Sequence, residues 1–293
     1  MLLTLLNIVI PVFVVAAAGF VSGRHQRRLP DMTFINYVNV TVFVPALVFS
    51  ALVGNPVDLV RGWPLLAAGV LIILLPGLLL ALVRRPGIAR PAYLMVGMFR
   101  NTGNIGIPLM MLAYGKHLLG DIIVLFVLSN VLHFSIGLFI LSGGRNHWMW
   151  LRNPNIWAAV LGVVFSTRPE VLPQFLLTSL ELLGQIAVPL MLFSLGVRLS
   201  QDRIEQLGLA LRINGAYLLA GALALGIVLW LLPLTPEWTR LIALSAMLPP
   251  AVLNYLLCEH YKVEPRAVAS VVLVGNLLSI ATVPLVVWLT LTV

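Results

Sequence analysis

Val44-Pro45-Ala46-Leu47-Val48-Phe49-Ser50 returns 144 positions later as Val188-Pro189-Leu190-Met191-Leu192-Phe193-Ser194, with four of seven residues unchanged. At nearly the same offset Asn130 finds Asn276, and Asn104 faces Pro250 inside a second polar, proline-marked segment. Each place lies in or beside an apolar run long enough to cross a bilayer. A membrane module written twice is expected of a secondary carrier, in which two related halves surround a site at mid-membrane. A short match between apolar stretches needs support from topology, and the apolar runs and charges supply it.

Of 293 residues, 60% are apolar and 10% charged, with a mean hydropathy of +1.04. A soluble domain needs a charged skin that this composition lacks, so the bilayer is expected to be the solvent. One cysteine, Cys258, excludes an internal disulfide and a cysteine-built metal cage. The net charge of +8 is explained by arginines in cytoplasmic loops and requires no nucleic acid partner.

About 20 apolar residues span the hydrocarbon core. By that rule the spans are 2–21, 34–53, 63–83, 92–114, 122–141, 156–166, 175–197, 207–232, 239–260 and 267–291, ten in all, the sixth being short. Ala16-Ala17-Ala18 resembles a cleavage site, yet no Lys or Arg precedes the run, so it is read as the first span. The odd loops hold twelve basic residues: Arg24, Arg27, Arg28, Arg84, Arg85, Arg90, Arg145, Arg152, Arg198, Arg203, Lys262 and Arg266. The even loops hold four: Arg61, Lys116, Arg168 and Arg240. The odd loops are therefore expected in the cytoplasm, with both termini outside. Five spans per half force the halves, 1–141 and 154–293 around the connector 142–153, into opposite orientations. An all-α membrane protein of two inverted five-helix repeats is the expected fold.

Two spans resist an ordinary helix. Arg100-Asn101-Thr102-Gly103-Asn104-Ile105-Gly106-Ile107-Pro108 puts two asparagines, two glycines, a proline and a charge in the fourth span. Leu248-Pro249-Pro250-Ala251-Val252-Leu253-Asn254-Tyr255 does the same with a double proline in the ninth. Broken backbone at that depth survives where it faces protein or a watery cavity. Lone prolines such as Pro45, Pro189 and Pro284 read as kinks. The paired breaks, at corresponding positions and carrying asparagines, read as a binding site formed by Asn101, Thr102, Gly103, Asn104, Gly106, Pro108, Pro249, Pro250 and Asn254, with Arg100 and Asn130 beside them.

Asn101-Thr102-Gly103-Asn104-Ile105-Gly106-Ile107-Pro108 resembles the fourth-helix motif of the auxin efflux carrier family, whose bacterial members include malonate-transporter-like proteins. Pro249-Pro250 with Asn254, and the Val-Pro of spans two and seven, match as well. The resemblance implies a fold similar to bile-acid sodium symporters, with spans four and nine crossing at their breaks. It implies a scaffold of spans one, two, six and seven, a moving core, and a homodimer formed through the scaffold. It further implies transport of small organic anions, mono- or dicarboxylates, across a bacterial inner membrane, without a cofactor.

Arg100 has two readings: a cap for carbonyls freed by the break, or a direct anion contact. His133, a turn from Asn130, reads as a hydrogen-bonded packing residue or a proton relay. Glu181 is an interface residue or a protonatable group. An embedded enzyme is not expected, because HExxH pairs and interior paired carboxylates are absent from the sequence. A receptor has no use for two broken helices, and gradient-driven uptake separates a carrier from a channel. The sodium-coupled relatives implied by the resemblance place a glutamate at the ninth-span break, where this chain has none. Coupling is therefore expected to be to protons, through His133 or Glu181, or absent.

Overall fold

The computed structural model describes residues 2–25, 32–58, 60–83, 87–144, 148–201 and 203–291. Arg27, Arg28, Arg84, Arg85 and Arg145, which contribute to the charge asymmetry, lie outside the described residues, as does 145–147 of the connector. Among the described residues the chain is helical and has no strand. The first half runs α1 (Leu2–His25), α2 (Met32–Val38), α3 (Val44–Gly54), α4 (Trp63–Leu82), α5 (Arg90–Met98), α6 (Ile107–Tyr114), α7 (Leu119–Leu132) and α8 (Leu138–Leu141). The second runs α9 (Pro154–Ser166), α10 (Gln174–Gln201), α11 (Leu207–Leu231), α12 (Pro236–Met247), α13 (Val252–His260) and α14 (Pro265–Leu291).

Seven stretches are each long and apolar enough to cross a membrane: Leu6–His25, Phe34–Gly54, Trp63–Leu82, Lys116–Leu141, Gln174–Gln201, Leu207–Leu231 and Pro265–Leu291. Two of these pass through wider, π-type turns, at Asn39–Phe43 and His133–Gly137. Pro45 lies near the start of α3, and the wide turn before it, which joins α2 to α3 without a gap, accommodates the hydrogen bond that its missing N–H cannot make. Pro189 and Pro284 sit inside the unbroken α10 and α14. The apolar α9 has 13 residues. In contrast, α5 and α6 have nine and eight residues, and α12 and α13 twelve and nine. At 1.5 Å per residue, none of these four exceeds about 18 Å, well short of a hydrocarbon core of about 30 Å.

Lipid offers helices no hydrophobic reason to associate, so close packing and hydrogen bonds must hold them. The tightest seam joins α1 to α10. Gly19 and Gly23, spaced as a GxxxG pair on α1, meet α10 backbone to backbone. A Cβ on Gly19 would overlap the Phe193 carbonyl oxygen, and one on Gly196 would overlap that of Ala16. Opposite Gly23 stands the Ser200 hydroxyl. A Cβ added to Gly184 of α10 would lie 2.8 Å from the Leu47 Cα, and one added to Gly162 of α9 would lie 3.0 Å from the Leu52 Cβ, so α3 is clasped between α9 and α10. A second group packs α4, α5, α7, α11, α12 and α14 together around buried Ile72, Tyr93, Ile123, Tyr217, Leu244 and Val271.

Gly196→Ala is expected to lower the thermal midpoint of the detergent-purified protein, since overpacking a fitted contact costs about 1–3 kcal/mol. Gly226→Ala, where an added Cβ meets nothing within 4 Å, is the matched control and is expected to lose no stability.

Candidate functional site: the crossing of two broken helices

The chain leaves helical geometry at Phe99 (φ −98°, ψ 114°) and again at Leu248 (φ −59°, ψ 149°). The second departure follows from sequence, because a residue preceding proline is pushed to extended backbone and Leu248 and Pro249 both precede one. The two extended segments pair antiparallel. Asn101 N–H donates to the Pro249 carbonyl at 2.8 Å, and Ala251 N–H donates to the Phe99 carbonyl at 3.0 Å. Each break thus supplies the partners that the other has lost, as a low-dielectric interior demands.

Side-chain amides satisfy further groups, with Asn254 Oδ1 left without a partner among the described residues. Asn254 Nδ2 donates to the Phe99 carbonyl at 2.9 Å. Asn276 of α14 donates to the Pro250 carbonyl at 3.3 Å and to Val272 at 2.8 Å, while its Oδ1 accepts from Asn101 Nδ2 at 3.1 Å. Asn101 Oδ1 accepts the Asn104 N–H at 3.3 Å, capping the turn Thr102–Gly106 that leads into α6. Pro249 and Pro250 bring no N–H to a place where one would need a partner. The helix α6 follows the turn Thr102–Gly106 without a gap, so the missing N–H of Pro108 leaves the entry to α6 one hydrogen bond short.

The expected site residues therefore separate into three groups. Asn101, Gly106, Pro108, Pro249, Pro250 and Asn254 are buried at the crossing, and the two asparagine amides are engaged with the chain. Thr102, Gly103 and Asn104 are half-buried at its edge, and Gly103 faces Phe126 of α7 and Met191 of α10. Asn130 lies elsewhere: it donates to the Phe126 carbonyl at 2.9 Å and accepts from Asn153, just before α9, at 3.5 Å. His133 is buried and stacked on the Phe99 ring, centroids 4.1 Å apart and planes 4° from parallel. Arg100 is 4% exposed; its Nη2 donates to the Tyr217 carbonyl at 3.3 Å, and its guanidinium lies 4.3 Å over the Tyr217 ring.

Sequence reasoning missed two residues of the crossing. Asn276 was visible through its offset from Asn130, yet its partner lies 175 residues away. Asn214 of α11, fully buried, ties the Ala210 and Val271 carbonyls together at 2.8 and 3.0 Å. Its Oδ1 and the Pro250 ring both crowd Gly275, so a Cβ there would displace the crossing.

Two cavities flank this structure. The larger, about 410 Å³, lies between α3 and α10 on one wall and Met111, Lys116 and Leu119 on the other. It follows α10 from Glu181 through Gln185 to Pro189, and Met191 just beyond packs against Gly103. Neither Lys116 nor Glu181 is in an ion pair among the described residues. The smaller, about 20 Å³ on the same measure, is lined by Arg100, Thr102, Ser129 and Ser245 with apolar residues of α4 and α7.

Asn276→Leu strands the Asn101 amide and the Pro250 carbonyl in the interior, at about 1–3 kcal/mol each. Thermal unfolding is expected to show a lower midpoint for this variant than for Asn130→Leu, whose site is half-buried.

The family model described as "Membrane transport protein" matches residues 4–148 and 145–288. The chain is 24% identical over 306 residues to the "Putative malonate transporter" of Rhizobium meliloti (strain 1021), covering 94% of this chain and 93% of that protein. It is 30% identical over 142 residues to the "Probable auxin efflux carrier component 5b" of Oryza sativa subsp. japonica, covering 45% of this chain and 39% of the rice protein. The rice component 5c is 28% identical over 143 residues, 44% of this chain and 37% of its own. An apolar all-helical chain with two interrupted, mutually bonded helices, matched along nearly its full length, belongs to the membrane transport protein family of the auxin efflux carriers.

Proposed function

We propose that the chain is a secondary carrier that moves small organic anions, mono- or dicarboxylates, by alternating access. The cavity of about 410 Å³ carries this reading: its volume suits a small ligand, and it leads to the crossing along α10. In this reading the seven long helical stretches, α9, and the broken pairs α5/α6 and α12/α13 make ten spans. They form two inverted repeats, 1–141 and 154–293, joined by 142–153. The helices sharing glycine seams (α1, α3, α9 and α10) are the scaffold, and the rest is the moving body that carries the crossing.

Sidedness follows from the charge asymmetry, with both termini outside a bacterial inner membrane and the large cavity facing outward. At the opposite end the guanidinium of Arg198 on α10 lies 4.6 Å over the Tyr255 ring of α13, joining scaffold to moving body. A cavity at one end and a closed contact at the other make one half of an alternating-access cycle. Lys116 draws the carboxylate, Glu181 and Gln185 line its route, and Thr102, Gly103 and Asn104 form the receiving edge of the crossing. The exposed apolar face of α9, with Trp157, Val160, Leu161 and Val164, suits a scaffold-to-scaffold homodimer. The name carried by the Rhizobium relative favours a dicarboxylate as large as malonate. The reading requires no cofactor and no enzymatic chemistry.

Coupling to sodium is disfavoured at the crossing. No acid lies in either break, and the amide oxygens of Asn101 and Asn276 already accept hydrogen bonds, which leaves Asn254 Oδ1 as an amide oxygen there without a partner among the described residues. Glu181 and His133 remain the titratable groups for proton coupling, and Glu181 is the one that lines the cavity.

Proteoliposomes are expected to accumulate labelled malonate under a pH gradient or membrane voltage, with no change when potassium replaces sodium. Lys116→Gln is expected to raise KM about tenfold, the loss of roughly one charge-assisted hydrogen bond, with kcat and protein yield retained. Uptake that only equilibrates would mean a channel or uniporter, and a steep sodium requirement would overturn the coupling assignment alone.

A further inference from the structure

Arg100 carries a charge that the described residues do not answer. Of its five N–H donors, the bond to the Tyr217 carbonyl uses one on Nη2, while Nε and Nη1 are buried without a hydrogen-bond partner among the described residues. The ion pairs among the described residues, Arg61 with Asp58 and His117 with Glu237, do not include it. The backbone does not balance it either: α5 and α12 end at the crossing with their negative poles, α6 and α13 begin there with their positive ones, and the four contributions largely cancel. A lone guanidinium charge at this depth is costly to maintain.

The small cavity lies against this charge. Thr102 and Ser129 bring hydroxyls to it whose protons are not committed among the described residues, whereas the Ser245 proton goes to the Leu241 carbonyl at 2.8 Å. The opposite wall, Gly69, Ile72, Ile73 and Leu125, is apolar. Gly221 of α11 leaves room for the guanidinium, since a Cβ there would come within 3.1 Å of Nη2. A volume of about 20 Å³ admits one water-sized occupant, so a dicarboxylate does not enter. A water there would leave the charge unanswered.

We propose that this cavity is a resident site for one monatomic anion of the halide class, seated beside the Arg100 side chain with the Thr102 and Ser129 hydroxyls, and separate from the anion transported. It neutralises the crossing from within the moving body, on the α4–α7 side.

The test compares purified protein in sodium gluconate, whose anion is too large for the cavity, with sodium chloride and sodium bromide at equal ionic strength. Either halide is expected to raise the thermal midpoint by about 2–4 °C, and crystals grown in bromide are expected to show an anomalous peak beside Arg100. Arg100→Gln is expected to abolish the halide increment. Should that variant fail to fold, Ser129→Val is expected to weaken halide affinity about tenfold while keeping the fold. Equal midpoints in gluconate and halide, or an increment that survives in both variants, would overturn the site. Malonate at transport concentrations is expected to leave the bromide peak in place; displacement of bromide would mean that the transported anion itself binds Arg100, and would overturn a separate site.

Discussion

Two backbone hydrogen bonds, from Asn101 to Pro249 and from Ala251 to Phe99, set the terms for the rest of this molecule. A helix interrupted inside lipid exposes amides and carbonyls that have no solvent to turn to. Here the interruptions answer each other, and whatever surrounds them is arranged to keep that exchange intact. The prolines withhold donors where none can be placed, Asn254 and Asn276 cap the carbonyls left over, and Gly275 lets α14 come close enough for Asn276 to reach. The asparagines that look like ligand-binding groups in the sequence act first as substitutes for missing backbone.

Around the crossing, helices associate by two different means. On one side, α1, α3, α9 and α10 touch through glycines, backbone on backbone, with little polar chemistry. On the other, Asn214, Asn276 and Asn101 stitch α5, α11 and α14 through amides. Contacts between the groups are of mixed kinds: Gly103 on Met191, Arg198 on the face of Tyr255, Gly120 of α7 against the Asn55 carbonyl, and an amide hydrogen bond from Asn153 to Asn130. A methionine side chain and a cation over a ring slide or separate at lower cost than a glycine seam or a fully bonded amide. The boundary between the groups is the compliant surface of the protein, and the large cavity lies along it.

Much of this was legible in the residues. The spans follow from apolar length, and the breaks from glycine, proline and asparagine where a helix should run. The location of the fourth-span break was read less well. Gly103, Gly106 and Pro108 drew attention forward, whereas the chain departs at Phe99, where no residue is a helix breaker. What stops α5 there is a partner segment about 150 positions away, and local sequence carries no trace of that. The same holds for Asn214 and Asn276, which are single polar residues in apolar helices until α11 and α14 are packed. The Gly19–Gly23 pair is a motif in its own right, but its meaning depends on Gly196 and Ser200 opposite. Arg100 was legible as a residue needing a reason, and its geometry as a charge set over Tyr217 was not.

The crossing also imposes an order on biosynthesis. Residues 99–104 leave the ribosome long before 248–276 exist, and at roughly 5–20 residues per second the interval is on the order of ten to thirty seconds. Throughout it the first interruption has no complement, and a guanidinium and several amides must be sheltered by water or by the insertion machinery. The first half of this chain cannot be a finished object that the second half later joins. The α5–α6 segment becomes a stable element only when α12–α13 arrives, which ties the two halves of the chain into a single folding unit.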